Sequence, residues 1–137
     1  MSKHLQRDME SLHRQILSLS AMVEEMIDKA TSSLSQRSPD LAEEVIRSDR
    51  QVDRREVVIE EECLKMLALH QPVAGDLRRI ATVLKVNNDL ERIADLAVNI
   101  AERSQCIDDH PEFPIPDKLG RMVNMATQMV RSAIFNR

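Results

Sequence analysis

Apolar residues recur along this chain at alternating spacings of three and four, in stretches long enough to be helices of a bundle. The first seam reads Leu5, Met9, Leu12, Ile16, Leu19, Val23, Met26 and Ala30. It predicts a helix over residues 4 to 36, with Lys3, Arg7, Glu10, Arg14, Glu24 and Asp28 on a solvated opposite face. Ser38-Pro39-Asp40 then marks a restart. The serine suits the N-cap, the proline the first helical position, and the aspartate the positive end of the helix dipole. A second helix is expected from Pro39 to His70, on an apolar row of Val45, Val52, Ile59 and Met66 joined by Cys63. The row beside it reads Asp49, Glu56, Cys63, which sets two acids at the edge of the core. Gln71-Pro72 ends this helix, because proline cannot continue it without losing a hydrogen bond.

The third helix should start near Gly75-Asp76 and end around Ser104, burying Val83, Val86, Leu90, Ile93, Ala97 and Ile100. At about 100° per residue, Leu84 and Val98 fall within about 20° of Glu91, and Asp95 follows one turn later on the same face. That face is expected to be dry. Pro111, Pro114 and Pro116 break the next stretch. A last amphipathic helix follows from Asp117, with Leu119, Met122, Val123, Ala126, Met129, Val130, Ala133 and Ile134 on one side. Leu12, Arg14, Ile16, Met22, Val23 and Ile27 reappear as Leu119, Arg121, Val123, Met129, Val130 and Ile134, at a constant offset of 107. This reads as an internal repeat whose second copy is represented by its first helix. The expected organisation is a three-helix bundle over residues 1–105, a proline-rich linker over 106–116, and that helix over 117–137.

Composition agrees with an all-α chain. It has two glycines, 1% aromatic residues and 42% hydrophobic residues in 137 positions, with no strand-like alternation. The net charge of −4 and scattered basic residues leave no footprint for nucleic acid. Cys63 and Cys106 lack metal-type spacing, and Cys63 continues an apolar row, so a buried free thiol is expected there. The charged N-terminus and the lack of a membrane-length apolar run point to a cytoplasmic protein with no transmembrane segment. The four histidines are unclustered and the eight methionines read as adaptable core and interface filler. Arg78, Arg79 and Lys85 read as a solvated face, or as a small anion or partner patch.

The chemistry lies in the carboxylates. Asp49 and Asp53 precede the Pro72 break by about 20 residues, and Glu91 and Asp95 follow it by about 20. In an antiparallel pair joined by a short turn, equal distance from the turn is equal height. The two acidic couples are therefore expected to face each other across one groove. Two unit charges about 6 Å apart repel by roughly 3 kcal/mol at an effective dielectric of 20. Either arginines (Arg50, Arg54, Arg55, Arg92) or a cation must compensate. An all-oxygen site suits Fe, Mn, Mg or Ca better than Zn.

The strings SDRQVDRREVVIEEEC, ALHQPVAGDLRRI and NNDLERIADLAVNIAE resemble the PhoU family of phosphate-transport regulators. That resemblance implies two tandem three-helix bundles, similar to spectrin repeats, each with a pair of E(D)xxxD motifs that in some members hold multinuclear metal clusters. The motifs match at Asp49-x-x-x-Asp53 and Glu91-x-x-x-Asp95, with Glu56, Asn99 and Glu102 nearby as lesser candidates. The chain departs from the family in length, and the second motif pair is absent from it. The resemblance implies a cytoplasmic adaptor that contacts a phosphate ABC transporter ATPase and a sensor histidine kinase and damps the phosphate-starvation response. It is expected to form a homo-oligomer, a dimer. No nucleophile beside a base and no phosphate-cradling glycine loop is evident, so the expectation is a non-enzyme. A purely structural oligomerisation module and a carboxylate-metal enzyme are the alternatives.

Overall fold

The computed structural model describes residues 3–109 (107–109 as backbone) together with Arg121, Asn124, Met125, Gln128 and Arg131. Three helices fill the continuous part: α1 Lys3–Ser35, α2 Pro39–His70 and α3 Ala74–Asp109. All eight residues of the α1 seam are buried, as are Val45, Val52, Ile59, Cys63 and Met66 of α2. From α3 the core receives Ile80, Val83, Val86, Leu90, Ala94, Ala97, Ile100 and Ala101. Each helix packs on both others, so the apolar stripes meet on one axis and the fold is an antiparallel three-helix bundle.

The turns explain why the helices stop where they do. At the end of α1, Ser38 N donates to Ser33 O and Arg37 N donates to Leu34 O, while Arg37 adopts a left-handed φ of 52°. This is a Schellman arrangement with arginine where glycine is favoured. Ser38 also starts α2: its hydroxyl accepts from Leu41 N, and Pro39 takes the first turn. The α2 end relies on Gln71 in the left-handed region, φ 43°, before Pro72. α3 runs five residues past the expected stop at Ser104 to Asp109. Residues 105–109 lose the apolar period but contain no breaker, and the first proline is Pro111.

Polar ties set the register between helices. Ser104 Oγ donates to the Ser33 carbonyl at 3.0 Å, inside the core at the α1–α3 contact. Asn87 Nδ2 donates to the Glu56 carbonyl at 3.0 Å across α2 and α3. His70 Nε2 lies 2.9 Å from Asp8 Oδ2, and Arg55 Nη1 donates to Ser18 Oγ at 3.2 Å, both between α1 and α2. Cys63 is buried and free, Cys106 exposed and free. Among the described residues no helix is long and apolar enough to cross a membrane.

The apolar positions expected for the last helix (Leu119, Met122, Val123, Ala126, Met129, Val130, Ala133, Ile134) lie outside the described residues, as do 110–116. Arg121, Asn124, Met125, Gln128 and Arg131 are helical and exposed. Arg131 Nε bonds the carboxylate of Glu24. Those two positions are separated by 107, so the contact joins corresponding positions of the proposed repeat.

Replacing Ile16, which is completely buried, by alanine should cost about 2–5 kcal/mol. Ser38→Ala, which removes the hydroxyl cap of α2, should cost about 1 kcal/mol. Urea denaturation of both variants checks the ranking, and an equal loss at the two sites would contradict this division of stability.

Candidate acidic groove between the second and third helices

The short α2–α3 turn makes these helices antiparallel, and the Asn87–Glu56 bond fixes their stagger. Around that bond the acids of both helices gather. Glu56 is buried, 6% exposed, and it feels the charges of Glu91, Asp53, Asp95 and Asp49. Asp49 is half-buried and feels Asp53, Asp95 and Glu102. Asp49, Asp53, Glu91 and Asp95 thus stand along one groove, with Glu56 beneath them.

The groove differs from expectation in three respects. Glu91 and Asp95 are exposed, not on a dry face. The centre of α3's buried arc follows Val83, Leu90, Ala94 and Ala97, and the acids lie on its flank with half-buried Leu84 and Val98. Second, the four arginines do not compensate. Arg50, Arg54, Arg55 and Arg92 are all exposed, and among the described residues none forms an ion pair with these acids. Arg54 and Arg55 follow Asp53 by one and two residues, which turns them about 100° and 200° away around the helix. Third, the group at the centre is Glu56, which the sequence places only among the lesser candidates. Asn87, its partner, sits in an apolar row between Val83 and Leu90. A polar residue in that phase is the signal that identifies it.

With no arginine paired to them among the described residues, these carboxyls are governed by burial and by one another. Burial is the first cause of a Glu56 carboxyl pushed up to about 8, and the neighbouring carboxylates add to it, Glu91 most. Burial likewise raises Asp49, with Asp53 and Asp95 adding to the effect. Glu56 is therefore largely protonated at neutral pH. Asp49 Oδ1, Glu56 Oε1 and Asn87 Oδ1 are buried without a hydrogen-bond partner. Buried oxygens in that state are costly, and such positions are where a missing ligand or proton shows. Their chemistry fits a hard, oxygen-seeking cation. Among the described residues, however, no three Asp, Glu, His or Cys groups converge as one ready-made ion site. The donors are of the right kind but spread along the groove.

Comparison with known proteins adds the family. The PhoU domain matches residues 16–104, which is the bundle and both acidic motifs. The chain belongs to the PhoU family. A phosphate-specific transport system accessory protein PhoU homolog of Aquifex aeolicus is 39% identical over 95% of this chain and 59% of its own length. The corresponding protein of Deinococcus radiodurans is 37% identical over 94% and 61%. Among solved structures, PhoU from Pseudomonas aeruginosa superposes with a TM-score of 0.87 at 30% identity, covering 93% of this chain and 61% of that one. The phosphate transport system regulatory protein PhoU from Streptococcus pneumoniae gives 0.81 at 25% identity, over 95% and 61%. The chain thus spans about three-fifths of the length of these relatives.

The raised Glu56 carboxyl has a signed consequence. Its folded value lies above its unfolded one, so its contribution is complete below about pH 4.5 and is lost as pH rises through about 8. Glu56→Gln mimics the protonated form. The variant should lie close to the parent near pH 5 and exceed it at pH 9 by several kcal/mol, read by urea denaturation at both pH values. A variant less stable than the parent at pH 9 would rule this out.

Proposed function

We propose that this PhoU-family chain is a regulatory adaptor of phosphate uptake and phosphate-starvation signalling. In this reading it docks on the ATPase of a phosphate ABC transporter and on a sensor histidine kinase. The observation that carries it is the correspondence over nearly the whole chain with proteins named as phosphate-specific transport system accessory proteins, 39% identical in one case. The bundle supports the reading physically. Three helices of 33, 32 and 36 residues, tied by buried side-chain bonds, make a stiff body with long exposed faces. Such a body presents a surface without first having to order itself.

The acidic groove has a part in the same reading. Asp49, Asp53, Glu91 and Asp95 would hold a cation, one of Fe, Mn, Mg, Ca or Zn, with Glu56 able to add an oxygen. The ion would supply positive charge that links α2 to α3. Support comes from the unpartnered buried oxygens and from the lack of arginine pairing. Because ligating carboxylates must be ionised, binding should strengthen as pH rises and the groove gives up its protons.

Two measurements test this. Titration of the purified chain against the cytoplasmic parts of both partners should give saturable binding at micromolar concentrations. No binding to either at tens of micromolar would defeat the adaptor reading. Elemental analysis of protein purified without chelator or nickel resin should find bound metal that is lost in the Asp53→Asn, Asp95→Asn double variant. Metal retained by that variant would place the ion elsewhere.

A further inference from the structure

In the central part of α2, Asp49, Asp53 and Glu56 lie toward α3 while Arg55 reaches α1. On the α1 side there is a cleft of about 370 Å³ lined by Gln15, Gln51, Arg54, Arg55, Val58 and Ile59. Its size lies within the range of small-molecule sites. Among the described residues the lining includes two guanidinium groups and no carboxylate, in a chain whose net charge is −4. Arg55 Nη1 donates to Ser18 Oγ of α1 at 3.2 Å, leaving its other N–H donors uncommitted. Arg54 makes no hydrogen bond or ion pair among the described residues. Gln51 adds an amide from the α2 wall, and Gln15 one from the α1 wall whose Nε2 already donates one hydrogen to Ser11 Oγ at 3.2 Å and keeps the other. Val58, 49% exposed, and Ile59, 1% exposed, form an apolar part of the lining.

We propose that this α1–α2 cleft is a binding site for a phosphate monoester with a small apolar body. The charges match: a monoester carries about −1.5 to −2 near neutrality, against two permanent guanidinium charges. A monocarboxylate would leave one of them unanswered. Guanidinium groups meet phosphoryl oxygens with paired, directional hydrogen bonds, which an ammonium cannot. The apolar body has Val58 to rest on, so inorganic phosphate alone would use only half of the cleft. The site is bounded at one end. Beyond Gln51 and Arg55 the groove continues beside Lys29, but that ammonium is already paired with Glu25 at 3.1 Å and Glu44 at 3.6 Å. The cleft is separate from the acidic groove, and the proposal does not depend on the adaptor reading.

The test uses the whole chain with two probes, phenyl phosphate and inorganic phosphate, followed by NMR of the side-chain amides and methyls. Phenyl phosphate should give saturable shifts at the Gln15 and Gln51 amides and the Val58 methyls, with affinity several-fold above that of inorganic phosphate. Arg54→Gln and Arg55→Gln should each weaken binding about tenfold or more, the loss expected for one charge-assisted hydrogen bond. Arg55→Lys, which keeps the charge without the fork, should recover only part of it. Arg50→Gln removes the same charge from a residue outside the cleft lining and should change nothing. No saturation at the Gln15 and Gln51 amides at tens of millimolar probe overturns the proposal. So does an equal loss in Arg50→Gln, which means diffuse charge attraction. Equal affinity for the two probes overturns the monoester assignment.

Discussion

The constraint on which the rest depends is a carboxyl group built into the seam between two helices. Glu56 lies on the buried row of α2 with Val45, Val52, Ile59 and Cys63, and its backbone carbonyl receives Asn87 from α3. Burying an ionised carboxylate there would cost several kcal/mol even without neighbours. Its neighbours are Glu91, Asp53, Asp95 and Asp49, and the carboxylates among them make ionisation worse. The fold therefore keeps a proton at this point, or else a cation must arrive. An apolar residue in its place would pack without this conflict, so stability alone gives no reason for a glutamate here.

α2 separates charge by phase. Asp49, Asp53 and Glu56 follow each other by four and three residues, which keeps them on one side of a helix. Arg54 and Arg55 fall between them in sequence and on the other side in space. An ordinary surface helix mixes such residues into i,i+4 pairs, as Glu43 and Arg47 do here at 3.5 Å. In the central part of α2 that mixing does not occur. One groove is left with oxygens lacking donors, and the other with donors lacking acceptors.

Much of this was legible in the residues. All eight positions that the three- and four-residue spacings marked on α1 are in the core, which also takes Ile27 and Leu34 from beside that seam, and the Ser38-Pro39 and Gln71-Pro72 signals located both turns, because caps and prolines act locally. The end of α3 was less legible: a lapse of apolar period is a weaker signal than a breaker, and the helix continues to Asp109. Height along the groove followed from counting residues from Pro72. Depth did not. Whether an acid one turn along is covered or wet depends on how far a third helix leans over it. That tilt is set by side-chain volumes in the shared core, and no spacing within one helix contains it. Hence Glu91 and Asp95 read as buried and are exposed, while Glu56, read as an edge position, is the buried one. The arginines were the harder point, since nearness in sequence invites pairing that a 100° step forbids.

The two grooves stay distinct only while α2 keeps a constant phase along its length. A kink would rotate one half against the other and bring arginines round to the acids. Sharp kinks need a proline, a glycine or serine pair, a bulge, or an inserted side chain or water. After Pro39, α2 contains no proline or glycine, and its single serine, Ser48, returns its hydroxyl to the Glu44 carbonyl above the acidic turn. Ties at Ser18–Arg55 on one side and Asn87–Glu56 on the other then pin adjacent residues of the same turn to different helices. Rotation of α2 in place would have to break both. The sorting of charge is thus held by backbone regularity and by two hydrogen bonds at neighbouring positions of the helix that divides the grooves.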